Sequence, residues 1–136
     1  MVRYYTLSLG PFPRGFHLIT QPVYNAVKHW PDQGILQVFI QHTSAGICIN
    51  ENADPSVRKD FDLFFERLAP ENLHGITHDM EGPDDMPAHI KSVISGTTIS
   101  IPIIDGKPAL GAWQGIFLCE FRTNATQRNF IITILS

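Results

Sequence analysis

Six histidines are spread along the chain, and the elements around three of them could bring their rings together. His42 ends an apolar strand and, by the alternation of a strand, continues its inward face. His78 lies in a loop, and His89 lies at the border of the apolar face of the next helix. Three imidazoles with an open fourth position form the ligand set of a catalytic zinc ion. The spacings of 36 and 11 residues permit this site without being diagnostic of it, and His42 could equally be a core histidine with satisfied hydrogen bonds.

The acidic segment from Glu81 to Asp85 allows two interpretations. One aspartate can cap the helix that follows, and the other can favour the positive end of the helix dipole. Alternatively, Glu81, Asp84 and Asp85 lie beside a histidine cluster and bind a cation or act as a general base. One helix cap does not require all three carboxylates, so both interpretations stay open.

A second polar group lies at a strand end, where Asn50, Glu51 and Asn52 precede the capping residue Asp54. Amides around a carboxylate can orient a ligand or brace the residues of a site. On a later strand, Gln114 shares a face with Glu120, which is unusual for an apolar strand. That face is therefore either a solvated edge or a contact with another subunit, with Arg122 or Arg128 as the partner of the carboxylate.

Residue periodicity predicts the elements that carry these groups. Two-residue alternation, β-branched residues and Pro or Gly stops predict short strands at 2–9, 17–19, 34–41, 46–50, 97–104, 113–122 and 128–135. Three helices are predicted, beginning near Thr20, Pro55 and Asp85, the last with Met86, Ile90, Val93 and Ile94 on one apolar face. Hairpins and meanders with inserted helices predict an antiparallel α+β domain. Residues 1–136 form a single domain in this interpretation.

Composition excludes several classes of protein. With 10 basic and 13 acidic residues, the chain has a net charge of −3 and no basic stripe for a nucleic acid. No apolar run approaches the roughly 18 residues of a membrane span, and the N-terminus has no signal-peptide core, so we expect a cytoplasmic protein. Cys48 and Cys119 lie in apolar strands and are predicted to be buried free thiols.

Four segments together resemble one family. They are His42-Thr43-Ser44-Ala45-Gly46, residues 50–55, residues 78–91 and Gly111-Ala112-Trp113-Gln114-Gly115-Ile116. In this order they are similar to the YjbQ family, whose members are often described as secondary thiamine-phosphate synthases. The chain differs from the usual pattern at Ala112, where most members have Thr, and at Phe121, where many have His.

The resemblance implies an α+β fold with a mainly antiparallel β-sandwich core, about three helices and a homotrimeric assembly with clefts near the subunit boundaries. It also implies that His42, His78 and His89 gather around a metal or an anion. The metal would be zinc, with magnesium accompanying a phosphorylated substrate. The implied activity is a transferase reaction in which a pyrimidine pyrophosphate condenses with a thiazole phosphate and releases pyrophosphate.

Residue chemistry assigns further roles within that hypothesis. When pyrophosphate leaves, negative charge develops on it and has to be neutralised by a nearby cation. The chain has few cationic side chains that could do this. A metal would therefore carry the phosphate oxygens. The candidate substrate-binding residues are Asn50, Asn52, Lys91, Gln114 and Arg122, and the candidate catalytic carboxylates are Glu51, Glu81, Asp84 and Asp85. Two alternatives stay open: a non-enzymatic trimer that binds a metal or a small anionic metabolite, and a metal-assisted hydrolase.

Overall fold

A computed structural model describes all 136 residues, which form two antiparallel sheets and three helices. The elements in chain order are β1 (Val2–Leu9), β2 (Gly15–Leu18), α1 (Thr20–Ala26), β3 (Gly34–Ile40), β4 (Ala45–Glu51), α2 (Pro55–Leu68), α3 (Asp85–Ser95), β5 (Thr98–Ile104), β6 (Lys107–Pro108), β7 (Gln114–Glu120) and β8 (Arg128–Leu135). The expected α+β class with antiparallel sheets and three helices is confirmed.

The core lies between a five-stranded sheet, in the order β1-β8-β3-β5-β6, and a three-stranded sheet, in the order β2-β7-β4. Strand alternation explains it, since Leu36, Val38 and Ile40 are buried on β3 while the residues between them are exposed. Ile116 and Leu118 on β7 complete the same core from the other sheet. Full burial of each such side chain contributes about 1.5–3 kcal/mol to folding.

Helices α2 and α3 lie against the outer face of the three-stranded sheet. There Phe16, Phe65 and Phe121 surround a small second core built on Ala88 and Cys119. Phe121, one of the two departures from the family pattern, therefore packs as an apolar residue and is 3% exposed.

The predicted inward face of α3 is wrong. Val93 is 83% exposed and Ile94 also faces outward, whereas Asp85, Ala88 and Ser92 are buried. Periodicity directs the apolar stripe to the core, but α3 packs on β4 through the opposite, partly polar face. Ser92 makes this possible because its hydroxyl donates to the carbonyl of Ala45 at 2.6 Å.

Two other expectations change at element ends. The helical spacing of Val23, Ala26, Val27 and Trp30 predicts a first helix that Pro31 ends, but α1 already ends at Ala26. Trp30 lies beyond the helix and packs edge-on against Tyr24. Trp113 precedes β7 in a turn and is 67% exposed, although a tryptophan at a strand start is usually a core residue.

Glu120 is buried between the two sheets and forms an ion pair with Arg128 at the start of β8. The carboxylate is 0% exposed and accepts from Nε of Arg128 at 2.7 Å and from its Nη2. Arg128 Nη2 also donates to the hydroxyl of Ser44 at 3.1 Å. Of the predicted partners, Arg128 is therefore the side-chain partner, and it comes from the same chain.

The two cysteines are free thiols, as predicted, with their sulfur atoms 3.5 Å apart. Cys119 is buried, but Cys48 is only half-buried. None of the three helices combines the length and the apolar character needed to cross a membrane.

Candidate functional site

The first turns of α3 and the loop before it bring two histidines and one aspartate together. Asp85 and His89 are separated by four residues on α3, so their side chains lie on one face of the helix. The loop carries His78 to the same place by turning at Gly82, whose φ of +104° disfavours a residue with a side chain. A Cβ at Gly82 would also come within 3.1 Å of Asp84 Oδ1.

One carboxylate oxygen of Asp85 contacts both imidazole rings. Asp85 Oδ2 lies 2.7 Å from Nε2 of His78 and 3.1 Å from Nε2 of His89. The side chain of Asp85 is 2% exposed, whereas His78 is 47% and His89 29% exposed. The three ligating atoms all lie within 4.8 Å of one another, on the solvent side of a buried carboxylate.

The tautomer of His89 follows from its other nitrogen. Nδ1 lies 2.8 Å from the backbone carbonyl oxygen of Thr43, which can only accept, so Nδ1 carries a proton. In neutral His89 the lone pair of Nε2 then faces Asp85 Oδ2. Two acceptors at 3.1 Å require either a second proton on the ring or a cation between them.

Arg122 holds the carboxylates from the opposite side. Its guanidinium donates from Nε to Asp84 Oδ2 at 2.9 Å, from Nη1 to Asp85 Oδ1, and from Nη2 to the carbonyl of Glu81 at 3.0 Å. The backbone N–H of Thr123 donates to Asp84 Oδ2 at 2.9 Å. Arg122 thus fixes the turn that carries both aspartates. Each of its three guanidinium nitrogens donates one hydrogen bond to this turn.

Both aspartates are held in the ionised form. Burial opposes ionisation of Asp85, but the contacts with His78, His89 and Arg122 outweigh it, so the pKa of Asp85 lies below its ordinary value. Burial also opposes ionisation of Asp84, whose pKa is nevertheless lowered by the N–H of Thr123 and by Arg122. Two carboxylates and one guanidinium leave one uncompensated negative charge beside two imidazoles.

This donor set fits a divalent cation. Imidazole nitrogen and carboxylate oxygen are common zinc ligands, each about 2.0–2.2 Å from the ion, so two of them in a tetrahedral site lie roughly 3.4 Å apart. The contacts of 2.7 and 3.1 Å at Asp85 Oδ2 are hydrogen-bond distances, and binding of an ion requires these atoms to move apart by less than about 1 Å. Two nitrogen donors favour zinc or a similar transition metal over magnesium, which prefers oxygen. The Thr43 carbonyl orients the His89 ring as such ligands require.

His42, the third histidine of the predicted set, lies outside this cluster in the chain. Its Nε2 accepts a hydrogen bond from the backbone N–H of Asn129 at 2.8 Å, next to the Glu120–Arg128 pair. Burial and then the positive charge of Arg128 lower the pKa of His42, against an opposing effect of Glu120. Asp85 takes the place predicted for His42, and the interpretation of His42 as a satisfied histidine at the core edge fits these contacts.

We expect His42→Gln to flatten the pH dependence of stability. Because the pKa of His42 is lower in the folded chain, the unfolded chain binds more protons below about pH 7, so stability falls as the pH falls through about 6.5. The substituted glutamine can still accept from Asn129 but cannot titrate. Urea unfolding at several pH values between 7.5 and 5.5 measures this, and equal losses in both proteins would contradict the expectation.

The second polar group lies at the opposite end of the three-stranded sheet. Glu51 pairs with Gln114 in the register of β4 and β7, while Ala45 pairs with Glu120 at the histidine end. Asn50, Asn52 and Gln114 bond to backbone atoms: Asn50 Oδ1 accepts from Glu51 N, Asn52 Nδ2 donates to Gln114 O, and Gln114 Oε1 accepts from Gly111 N. Within one chain these residues shape turns and do not reach the histidine cluster.

Lys91 is also outside the cluster. Its side chain is 1% exposed, and Nζ donates to Glu66 Oε1 at 2.7 Å, which ties α3 to α2. Arg14 donates to the same oxygen at 3.1 Å. Of the predicted site residues, the structure therefore gathers His78, Glu81, Asp84, Asp85, His89 and Arg122.

The family follows from comparison with known proteins. The family model described as YjbQ, UPF0047 protein YjbQ-like, matches residues 6–136. The chain belongs to the YjbQ family. UPF0047 protein YjbQ of Escherichia coli O157:H7 is 44% identical over 131 residues, covering 95% of this chain and 94% of that protein. A UPF0047 protein of Synechocystis is 42% identical over 122 residues, covering 89% and 83%.

Two solved structures share the fold of this chain. A conserved hypothetical protein of Thermus thermophilus has a TM-score of 0.83 at 30% identity, covering 96% of this chain and 98% of that one. A protein of Sulfolobus solfataricus P2 described as YbjQ-like and of unknown function has a TM-score of 0.85 at 22% identity, covering 100% and 98%.

The sequence pointed to two of the three clustered ligating residues as metal ligands. For Asp85 the sequence leaves open a capping role and a role in binding a cation or as a general base, and in the fold Asp85 and His89 stand at the four-residue spacing of two ligands on one helix face. The contact of His89 with the Thr43 carbonyl could not be predicted from the sequence, because a backbone carbonyl does not depend on residue type.

Proposed function

We propose that His78, Asp85 and His89 bind one divalent cation, zinc in preference to magnesium, and that the site binds the phosphate of a small metabolite. The observation that carries the proposal is the pair of imidazole nitrogens on one buried carboxylate oxygen, at 2.7 and 3.1 Å. Three of the five N–H groups of Arg122 already donate to Asp84, Asp85 and the Glu81 carbonyl, which leaves little of its guanidinium for a phosphate. When bound, a cation supplies the positive charge that phosphate oxygens require.

The chain's residues have distinct tasks in this proposal. Asp85 and the two histidines provide the ligand atoms, and the Thr43 carbonyl keeps Nε2 of His89 free of its proton. Arg122 and Asp84 hold Asp85 in place. Glu81 is exposed, and its Oε2 lies 4.0 Å from Nε2 of His78, so it is the carboxylate available at the open side.

The reaction we propose is the displacement of pyrophosphate from a pyrimidine pyrophosphate by a thiazole phosphate. The thiazole nitrogen attacks the methylene carbon, the carbon–oxygen bond breaks, and pyrophosphate leaves with the bonding electron pair. The attacking nitrogen bears no proton, so the step needs charge stabilisation rather than a general base. Such a reaction does not need Asp84 or Asp85 to accept a proton, and both carboxylates are already occupied by hydrogen bonds.

A metal-assisted hydrolase is the second candidate, and the position of Glu81 favours it. An exposed carboxylate beside the cation ligands can accept a proton from an attacking water molecule. Incubation of zinc-loaded protein with the pyrimidine pyrophosphate separates the two. The transferase forms thiamine phosphate only when the thiazole phosphate is present, whereas the hydrolase releases phosphate or pyrophosphate without it and depends on Glu81.

The cation site itself is tested by metal binding. We expect wild-type protein stripped with a chelator to take up one zinc ion per chain, and His78→Ala and His89→Ala to lose more than about a hundredfold in zinc affinity. His29→Ala, which removes an exposed histidine elsewhere, is the matched control. Calorimetric titration of all four proteins gives the affinities. Equal zinc binding in all four, or none in the wild type, would overturn the site.

We also propose that the chain forms a homotrimer. The outer face of the five-stranded sheet supports this, because Tyr4, Ile35 and Phe39 are exposed on it in one chain. Light scattering of the wild type should give three times the 15.3 kDa mass of the chain. The Phe39→Asp variant should be a monomer with the mass of a single chain. Leu63→Asp, on the exposed side of α2, should leave the trimer intact. A monomeric wild type would contradict the proposal.

A further inference from the structure

A pocket of about 360 Å³ adjoins the cation ligands, between the loop that follows α2 and the first turn of α3. We call it the loop pocket. Its lining includes Asn72, Leu73, Ile76, His78, Asp79 and Met86. His78 belongs both to this lining and to the ligand cluster, so a molecule in the loop pocket lies directly beside the cation site. The volume is in the range of small-molecule sites, about 300–1,000 Å³.

The lining decides which part of a ligand the loop pocket accepts. It contains no lysine or arginine, and Asp79 adds a negative charge, so a phosphate group is unfavourable inside it. Leu73, Ile76 and Met86 present apolar surface, and an organic ring can bury its faces against such side chains. The charge and the apolar lining of the loop pocket therefore place the organic part of a ligand inside it. The phosphate of the same ligand would lie at the cation.

The carboxylate of Asp79 gives the loop pocket a preference for one sign of charge on the organic part of the ligand. Asp79 is an exposed carboxylate of the lining, and Glu81, two residues further on, is exposed as well. A positively charged substituent on the ring would be attracted to Asp79, and a carboxylate substituent would be repelled.

We infer that the loop pocket binds the neutral or cationic ring of a small phosphate ester and that Asp79 determines this charge preference. The inference rests on the proposed cation site for the position of the phosphate. It adds that the specificity for the organic part belongs to residues 72–79 and Met86, which are not cation ligands apart from His78.

Three aryl phosphates that differ only in charge test the inference on zinc-loaded protein. They are phenyl phosphate, 4-(aminomethyl)phenyl phosphate and 4-carboxyphenyl phosphate, compared with inorganic phosphate by calorimetry. We expect phenyl phosphate to bind about tenfold more tightly than inorganic phosphate because its ring is buried. The aminomethyl ester should bind more tightly than the carboxy ester, and Asp79→Asn should reduce that ratio about fivefold.

Matched variants separate the loop pocket from the cation site. Leu73→Ala should weaken phenyl phosphate about threefold and leave inorganic phosphate unchanged, because it removes apolar contact only. Asp60→Asn and Leu63→Ala, both exposed on α2, should change none of the affinities. Equal affinities for all three esters and inorganic phosphate, or ratios insensitive to both pocket variants, would overturn the inference while the cation site stands.

A second measurement tests the loop pocket if the cation site fails. Failure of the proposed function would appear as inorganic phosphate binding that zinc does not increase. Methyl NMR of the metal-free His89→Ala protein with benzylamine and with benzoate then addresses the pocket alone. Benzylamine should shift the methyl signals of Leu73, Ile76 and Met86, and benzoate should not. Equal shifts with both compounds, or none with either, would overturn the inference.

Discussion

Asp85→Asn is expected to lower the zinc affinity of this chain by more than about a hundredfold. The substitution would keep the size of the side chain, and the amide oxygen could still accept from Arg122. It would remove the negative oxygen that lies 2.7 Å from His78 and 3.1 Å from His89. A neutral amide is a much weaker zinc ligand than a carboxylate, and the local charge would rise by one unit.

Asp84→Asn is the matched control for that result. Asp84 is adjacent in sequence, also buried and also bonded to Arg122, but it contacts neither histidine. Its effect on zinc affinity should stay within about ten- to a hundredfold, as for residues that only orient metal ligands. Calorimetric zinc titration of both variants gives the comparison. Similar losses in the two proteins would show that the acidic turn acts as a unit and that Asp85 is not a ligand.

Glu120→Ala is expected to lower the free energy of unfolding by about 3–5 kcal/mol. The substitution would leave the guanidinium of Arg128 buried, 5% exposed, with only Ser44 as a remaining partner. A domain of this size has a total stability of about 5–15 kcal/mol, so the loss is a large fraction of it. Urea unfolding of the variant and the wild type measures the difference.

Two further variants test whether the loss of stability comes from the unpaired charge of Arg128. Glu120→Leu combined with Arg128→Met should recover most of the stability, because a buried ion pair can be replaced by apolar residues once neither charge is left alone. Glu71→Ala removes a partly exposed pair with Arg14 and should cost no more than about 1 kcal/mol. A single Glu120→Ala variant as stable as Glu71→Ala would show that Arg128 finds solvent when its partner is absent.

Strands could be predicted from the sequence where one face is buried and the other is exposed, as on β3 and β5. On β3 the alternation of Leu36, Val38 and Ile40 with exposed residues follows directly from the period of a strand. Helix α3 shows the limit of the same reasoning. Its apolar stripe through Val93 faces outward, and α3 instead docks through Ala88 and the hydrogen bond of Ser92, contacts that periodicity does not register.

The candidate site could be predicted only in part, for a similar reason. His78 and His89 belong to one short segment, so loop and helix assignments sufficed to bring them near each other. His42 lies in the link between β3 and β4, and its ring accepts a hydrogen bond from the N–H of Asn129. Strand alternation could not say whether a backbone donor or a metal would use Nε2, and β3 itself ends at Ile40, before His42.

All three proposed ligands come from residues 78–89, and this arrangement affects the native-state dynamics of the chain. Residues 78–84 are tied to the rest of the fold mainly through Arg122 and the N–H of Thr123, whereas residues 85–89 belong to α3, which packs on the three-stranded sheet through Ala88. We therefore expect residues 78–84 to open locally more readily than the two sheets, which are held by their own ladders and core. Loss of the ion would raise the amide exchange rates of this segment and leave those of the sheets unchanged, so the fold can outlast the site.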